Sequence, residues 1–278
     1  MAKGILALAM LTSLVGCFGV PVNPSFPVTY DLATADLKRM RQDQKRTQRP
    51  VVVSAGYFDM GFASGDLAQR LKKLTHKDSQ IIAVTYIRTK TLEEAAEFLI
   101  KSVQNAFPSE DPDVTVPVDV IGISMGGLVA RRATDERGLS GRRLNAINIY
   151  TIVTPHRGAN LAGQNASDIR VQQMSAGSDF LEELAPPDQA NYENLYPYAR
   201  LDDLIVGTSN TAPWGMEPWW VPNMPFESAH VFAYRDRRII VDIVRRLRRE
   251  VPWSIEPAMP PPGQSVETHV DSKSSNSS

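Results

Sequence analysis

The 278-residue chain has one cysteine, four histidines and almost balanced charge, with 30 Lys and Arg against 31 Asp and Glu. Each scarcity excludes something. The single cysteine, Cys17, forbids an intramolecular disulfide. A net charge of −1 offers no electrostatic footprint for nucleic acid. No apolar run reaches the roughly 20 residues that a membrane-spanning helix requires. No internal repeat of fixed period is present. What remains is a hydrophobic content of 42%, enough to bury one large core.

The most informative residues are Gly122-Ile123-Ser124-Met125-Gly126-Gly127, directly after the apolar run Val118-Asp119-Val120-Ile121. G-x-S-x-G between a buried strand and a helix marks a nucleophile elbow, in which the serine occupies a sharp, strained turn. Gly122 and Gly126 lack side chains, so strand and helix can close around that turn. The helix start beyond it offers N–H groups to a developing negative charge.

Around this motif, short β-rich runs alternate with helical spacing. Val51-Val52-Val53, Ile81 to Tyr86, Val116 to Ile121 and Leu144 to Val153 read as strands. The segments 67–74, 92–107 and the stretch after Ser124 read as helices. This pattern predicts an α/β fold, a mostly parallel sheet with helices on both faces, and a ligand crevice at the carboxyl ends of the strands. Residues 195–201 and 219–226 are weaker strand candidates. Val231 to Glu250 is a closing helix whose outer face carries Arg245, Arg246, Arg248 and Arg249. Residues 160–196 break the alternation and read as a small cap or lid, with 171–184 helical. The expected organisation is therefore a leader over 1–16, a tether with a polar helix over 17–49, a folded domain over 50–251 and a disordered tail over 252–278. Lys38, Arg39, Arg41, Lys45, Arg46 and Arg49 read as a solvated basic helix face.

A serine hydroxyl needs a base, and the base needs an orienting carboxylate. Of the four histidines, His269 falls in the tail and His76 precedes the elbow, leaving His156 and His230. His230 follows the serine and precedes the closing helix, as the order Ser…Asp/Glu…His demands. Between them lies Leu201-Asp202-Asp203-Leu204-Ile205-Val206. Asp203 is the expected acid and Asp202 the alternative.

Taken together, the elbow, Thr154-Pro155-His156-Arg157-Gly158, the D-x-[IL]-V segment at Asp203 and Gly177-Ser178-Asp179-Phe180-Leu181 resemble the α/β-hydrolase lipases and esterases. The likeness is to bacterial triacylglycerol lipases and their GPI-inositol-deacylase-like relatives, over about 50–250. The resemblance implies a hydrolase without metal or cofactor that cleaves carboxylic esters, lipid or other acyl, through an acyl-enzyme on Ser124. It implies His230 as base, Asp203 as acid and His156 as structural support. Backbone N–H groups of Met125 and Tyr57 would form the oxyanion hole, although the family's His-Gly before the second donor is Ala55-Gly56 here. An acyltransferase and a non-catalytic binding lipoprotein are the alternative readings.

At the other end, Lys3, a short apolar stretch and Leu14-Val15-Gly16-Cys17 resemble the signal peptide and lipobox of bacterial lipoproteins. That resemblance implies export and acylation of Cys17, anchoring the chain to the membrane of the cell envelope. Phe18 stands where an aspartate would retain the protein at the inner membrane, so in a Gram-negative host the resemblance implies the outer membrane.

Overall fold

The computed structural model describes residues 21–135, 141–163, 166–257 and 259–260. Cys17, the leader, Phe18, His269 and most of the tail lie outside the described residues.

Runs of β-branched residues form the centre of the molecule because a parallel sheet is covered on both faces and needs apolar side chains on both. The strands are β1 (Val51–Ser54), β2 (Ile81–Val84), β3 (Val118–Ile123), β4 (Ala146–Ile152), β5 (Asn194–Arg200) and β6 (Trp219–Val221). They make one sheet in the order β2-β1-β3-β4-β5-β6, and every neighbouring pair is parallel. Alternate residues serve opposite layers. Val51, Val53, Ile121 and Ile123 pack with helices α1 (Tyr30–Gln42), α2 (Phe62–Leu74) and α7 (Arg237–Leu247). Val52, Val118 and Val120 pack with α3 (Leu92–Ala106) and α4 (Met125–Thr134) on the other face. After β1 the chain turns outward to β2, then returns to place β3 on the other side of β1. The crevice between the carboxyl ends of β1 and β3 is thus a topological switch point, where open α/β sheets bind their ligands.

Several segments differ from the sequence-based expectation. The predicted tether is packed from Asn23 onward. Asn23 Nδ2 donates to Trp220 O at 2.9 Å, and Phe26 and Val28 are buried. Helix α1 is not a solvated accessory either, since Ala33, Leu37 and Met40 enter the core against α7. Arg39 bridges Asp36 and Glu250, and Arg49, beyond the helix, reaches Asp119, while Lys38, Arg41 and Arg46 are exposed, as a solvated basic face would be. Arg245, Arg246 and Arg248, at the end of α7 and just beyond it, are likewise tied to Asp36, Asp242 and Glu250, whereas Arg249 is exposed. Residues 252–256 continue this packing, with the Ser254 side chain and backbone bound to Asp242. The closing helix begins at Arg237, not Val231, because Asp236 caps it by accepting from Arg238 N.

The insertion between β4 and β5 contains α5 (Ile169–Gln173) and α6 (Asp179–Glu183). The single helix expected over 171–184 is broken at Gly177, whose φ of 71° lies in the left-handed region. Its apolar side is packed: Met174, Phe180 and Leu184 join the α3–α4 core, and Gln173 accepts from Leu92 N at 2.8 Å.

Candidate active site

β3 ends at Ile123 and α4 starts at Met125, so Ser124 alone turns the chain. Its backbone adopts φ 50°, ψ −123°, a conformation that costs of order 1–3 kcal/mol in a residue with a Cβ. Neighbouring groups hold it there. Ser124 N donates to Ile152 O at 2.8 Å, and Ser124 O accepts from Thr154 Oγ1 at 2.8 Å and Gly127 N at 3.0 Å. Glycine permits the approach: a Cβ on Gly122 would strike Gly127, and one on Gly126 would strike the Ser54 carbonyl. Behind the turn, the buried Ser54 hydroxyl donates to Gly126 O at 2.9 Å and meets Tyr86 Oη.

Two further side chains converge on Ser124 Oγ from the loops after β5 and β6. His230 Nε2 lies 3.0 Å from Ser124 Oγ, and His230 Nδ1 lies 2.9 Å from Asp203 Oδ2. Asp203 is 3% exposed, and its other oxygen accepts from Ile205 N and Val206 N, both at 3.0 Å. A carboxylate so held accepts the Nδ1 proton, which leaves the Nε2 lone pair of a neutral imidazole facing the serine. That chain of bonds can take the hydroxyl proton as Oγ attacks an electrophile. Of the two aspartates, Asp203 is the one in contact with the imidazole, and Asp202 before it adopts φ 62°.

The loop after β1 passes beside the serine: a Cβ on Gly56 would lie 3.3 Å from Ile123 O and 3.5 Å from Ser124 Cβ. Among the described residues, the N–H groups of Tyr57 and Met125 have no protein acceptor. Both flank the switch-point crevice. A small cleft of about 170 Å³ opens here, walled by Gly56, Phe58, Met60, Ile87 and Met125. Asp168 and Arg170 of the cap fasten Tyr57 in place. Tyr57 Oη donates to Asp168 Oδ2 at 2.9 Å, and the Arg170 guanidinium lies 5.0 Å from its ring centre. The hydrogen bonds from Arg170 hold the Asp168 carboxyl down to about 2, so this clasp stays ionised at neutral pH.

His156 is elsewhere. It is buried, with Nδ1 3.0 Å from Arg131 Nη1 and Nε2 3.0 Å from Thr151 Oγ1. Arginine can only donate, so Nδ1 is the acceptor and the proton sits on Nε2. Burial, then the charges of Arg131 and Arg157, push its pKa well below the ordinary 6.5.

Three contacts at the site were not anticipated from sequence. They are the Thr154 hydroxyl on the Ser124 carbonyl, the Asp168–Tyr57 clasp, and Arg200, fully buried beneath the His230 loop with Glu227 2.8 Å away. Only Thr154 carried a signal, since it opens the T-P-H-R-G segment. Among the described residues, no group of three or more His, Cys, Asp or Glu is arranged to hold a metal.

Known structures share this fold. A lipase from Bacillus licheniformis, BlEst2 in its propeptide form, superposes with a TM-score of 0.50 at 12% identity over 76% of this chain and 52% of that one. The lin2722 gene product from Listeria innocua gives 0.50 at 14% identity, covering 73% of this chain and 95% of that one. The chain folds as an α/β hydrolase. The phospholipase PlaB from Legionella pneumophila also matches, at TM-score 0.46 and 15% identity over 59% of this chain and 45% of that one. The chain thus spans about half the length of the first of these solved hydrolase-fold structures. Within the sequence, a family model described as a PGAP1-like alpha/beta domain matches residues 80–180, the part of the fold that includes the elbow. No curated protein matches the chain.

Proposed function

We propose that this protein is a serine hydrolase of carboxylic esters, with lipid or other acyl esters as its substrates. The observation that carries the reading is the Ser124–His230–Asp203 chain of contacts, at 3.0 and 2.9 Å, on a backbone turn held in strained geometry. In the proposed reaction Ser124 Oγ attacks the ester carbonyl carbon while His230 Nε2 takes its proton. The negative oxygen of the tetrahedral adduct is stabilised by the N–H groups of Met125 and Tyr57. Loss of one such donor typically costs about 10²–10³ in rate. His230 then returns the proton to the departing alcohol oxygen as the C–O bond breaks, leaving an acyl-enzyme. Water, deprotonated by the same imidazole, releases the acid. Asp203 holds the imidazole in the required tautomer.

The apolar character of the site mouth supports an acyl substrate: Phe58, Met60 and Ile87 are each more than half exposed at the small cleft beside Met125. The test is intact-mass labelling with a fluorophosphonate. One adduct is expected on the wild type, none on Ser124→Ala, and labelling slowed at least about a hundredfold in His230→Ala. A folded wild type that takes no label overturns the reading.

We further propose that the protein is exported and acylated at Cys17, which anchors it to the bacterial envelope membrane. The lipobox-like Leu14-Val15-Gly16-Cys17 supports this. Substituting Cys17→Ser should abolish incorporation of labelled fatty acid and release the protein from the membrane fraction; retention of both refutes the anchor.

A further inference from the structure

A second cleft, of about 930 Å³, opens between the cap and the loop after β5, and neither Ser124 nor His230 lines it. Its volume is that of a small-molecule site. Two arginines form one wall. Arg131, 5% exposed on α4, directs Nη1 to His156 Nδ1 at 3.0 Å and Nη2 to Ala185 O at 2.8 Å. Arg157 donates through Nη2 to Pro213 O at 3.0 Å and Met216 O at 2.7 Å, with its guanidinium 4.6 Å from the Trp214 ring centre.

Every one of these partners is neutral. Among the described residues, neither arginine forms an ion pair with a carboxylate, and the Nε of each is buried without a hydrogen-bond partner. Burial lowers the pKa of both guanidinium groups, and the more distant charges, Asp135 for Arg131 and Glu217 for Arg157, do not make up for it. His156 cannot offset or add to this, because it is held neutral against Arg131. The carboxylate on the cleft wall, Glu182, is exposed to solvent. Leu181, Leu184 and Pro187 add apolar surface to the lining, as does Trp214 beside Arg157. The cap side of the cleft is firm, since Phe180 and Leu184 are anchored in the core.

Charge and shape together select a ligand. A desolvated guanidinium fork recognises planar or tetrahedral oxyanions, and the apolar wall accepts a hydrocarbon chain. We propose that this cleft is a second binding site, for a small amphipathic oxyanion: a carboxylate or phosphate monoester bearing a single short alkyl chain. The site is independent of the catalytic reading, and its test separates the two.

Isothermal titration on the full chain carrying Ser124→Ala uses octanoate, octyl phosphate and the neutral octyl glucoside, each below its micelle concentration. At least one anion is expected to bind at one site per chain, with octyl glucoside at least about tenfold weaker. Binding of octanoate alone assigns a carboxylate, and binding of octyl phosphate alone assigns a phosphate. Arg157→Gln should weaken the anion about tenfold to a hundredfold, as for a lost charge-assisted bond. Ala176→Trp, at an exposed position on the cleft wall, should block it while leaving the melting temperature unchanged. Equal binding of anion and glucoside, no anion binding, or binding untouched by both substitutions would overturn the proposal, whatever fluorophosphonate does at Ser124.

Discussion

His156 and His230 lie on the loops after β4 and β6, at one end of the sheet, yet their surroundings differ sharply. His230 is presented at Ser124 by Asp203, with its Nε2 lone pair directed outward. His156 is enclosed, and its acceptor nitrogen is consumed by a guanidinium. Protonating His156 would set two positive charges 3.0 Å apart in a buried site. Its folded-state pKa therefore lies below the unfolded value near 6.5. The unfolded chain then binds the proton while the folded one does not, so this residue's contribution is complete above about pH 6.5 and falls away as pH drops below it. The limiting slope for one proton is about 1.4 kcal/mol per pH unit. Urea titrations of wild type and His156→Gln between pH 7.5 and 5.0 should show the variant less stable at pH 7.5 but with a shallower acid-side loss. Parallel curves would show that His156 does not carry that proton.

Helix α1 illustrates how a helix can look solvated in sequence and be structural in the fold. Its polar run hides an apolar stripe of Ala33, Leu37 and Met40, and its charges close onto α7 through Asp36–Arg245 and Arg39–Glu250. Burial pushes the Asp36 carboxyl up, but hydrogen bonds from Arg245, Arg39 and Trp253 more than offset it, leaving its pKa below the ordinary value. Met40 is fully buried, so Met40→Ala should cost about 2–5 kcal/mol in urea unfolding. A loss under about 0.5 kcal/mol, the size of a surface substitution, would mean that α1 is dispensable. Those ion-pair partners lie some two hundred residues apart in sequence, which is why the pairing could not be read there. The central strands were legible, because sheet residues covered on both faces must be apolar without interruption. β5 and β6 were faint for the same reason reversed. Asn194-Leu195-Tyr196-Pro197-Tyr198-Ala199-Arg200 mixes polar, proline and aromatic residues, and β6 has only three residues. Ser124, Asp203 and His230 could be singled out as candidates because order along the chain constrains which loops meet at the sheet's carboxyl end. The Asp168–Tyr57 clasp joins residues with no such constraint.

For the molecule as a whole, direction matters most. Six parallel strands send all their carboxyl-end loops to one side, and that side collects exposed apolar residues: Phe58 and Phe62 after β1, Ile87 after β2, Leu204 after β5 and Phe226 after β6. Phe58 and Phe226 adopt φ of 56° and 63°, left-handed geometry that a bulky residue takes at a cost of about 1–2 kcal/mol. Asn23 binds Trp220 O near this same end, so a chain anchored upstream would hold the mouth of the site toward the membrane. If this rim meets lipid, the strained phenylalanine serves activity at the expense of stability. The double variant Phe62→Gln, Phe226→Asn tests that trade, because asparagine tolerates left-handed backbone and neither position lines the cleft beside Met125. Its melting temperature should match or exceed that of the wild type, and its turnover of a water-soluble short-chain ester should be unchanged. Turnover of an emulsified long-chain ester should fall about tenfold or more, since each phenylalanine withdrawn from lipid forfeits roughly 1.5–3 kcal/mol of transfer energy. Equal losses on both esters would assign the rim a structural role, and equal activities on both would remove it from substrate capture.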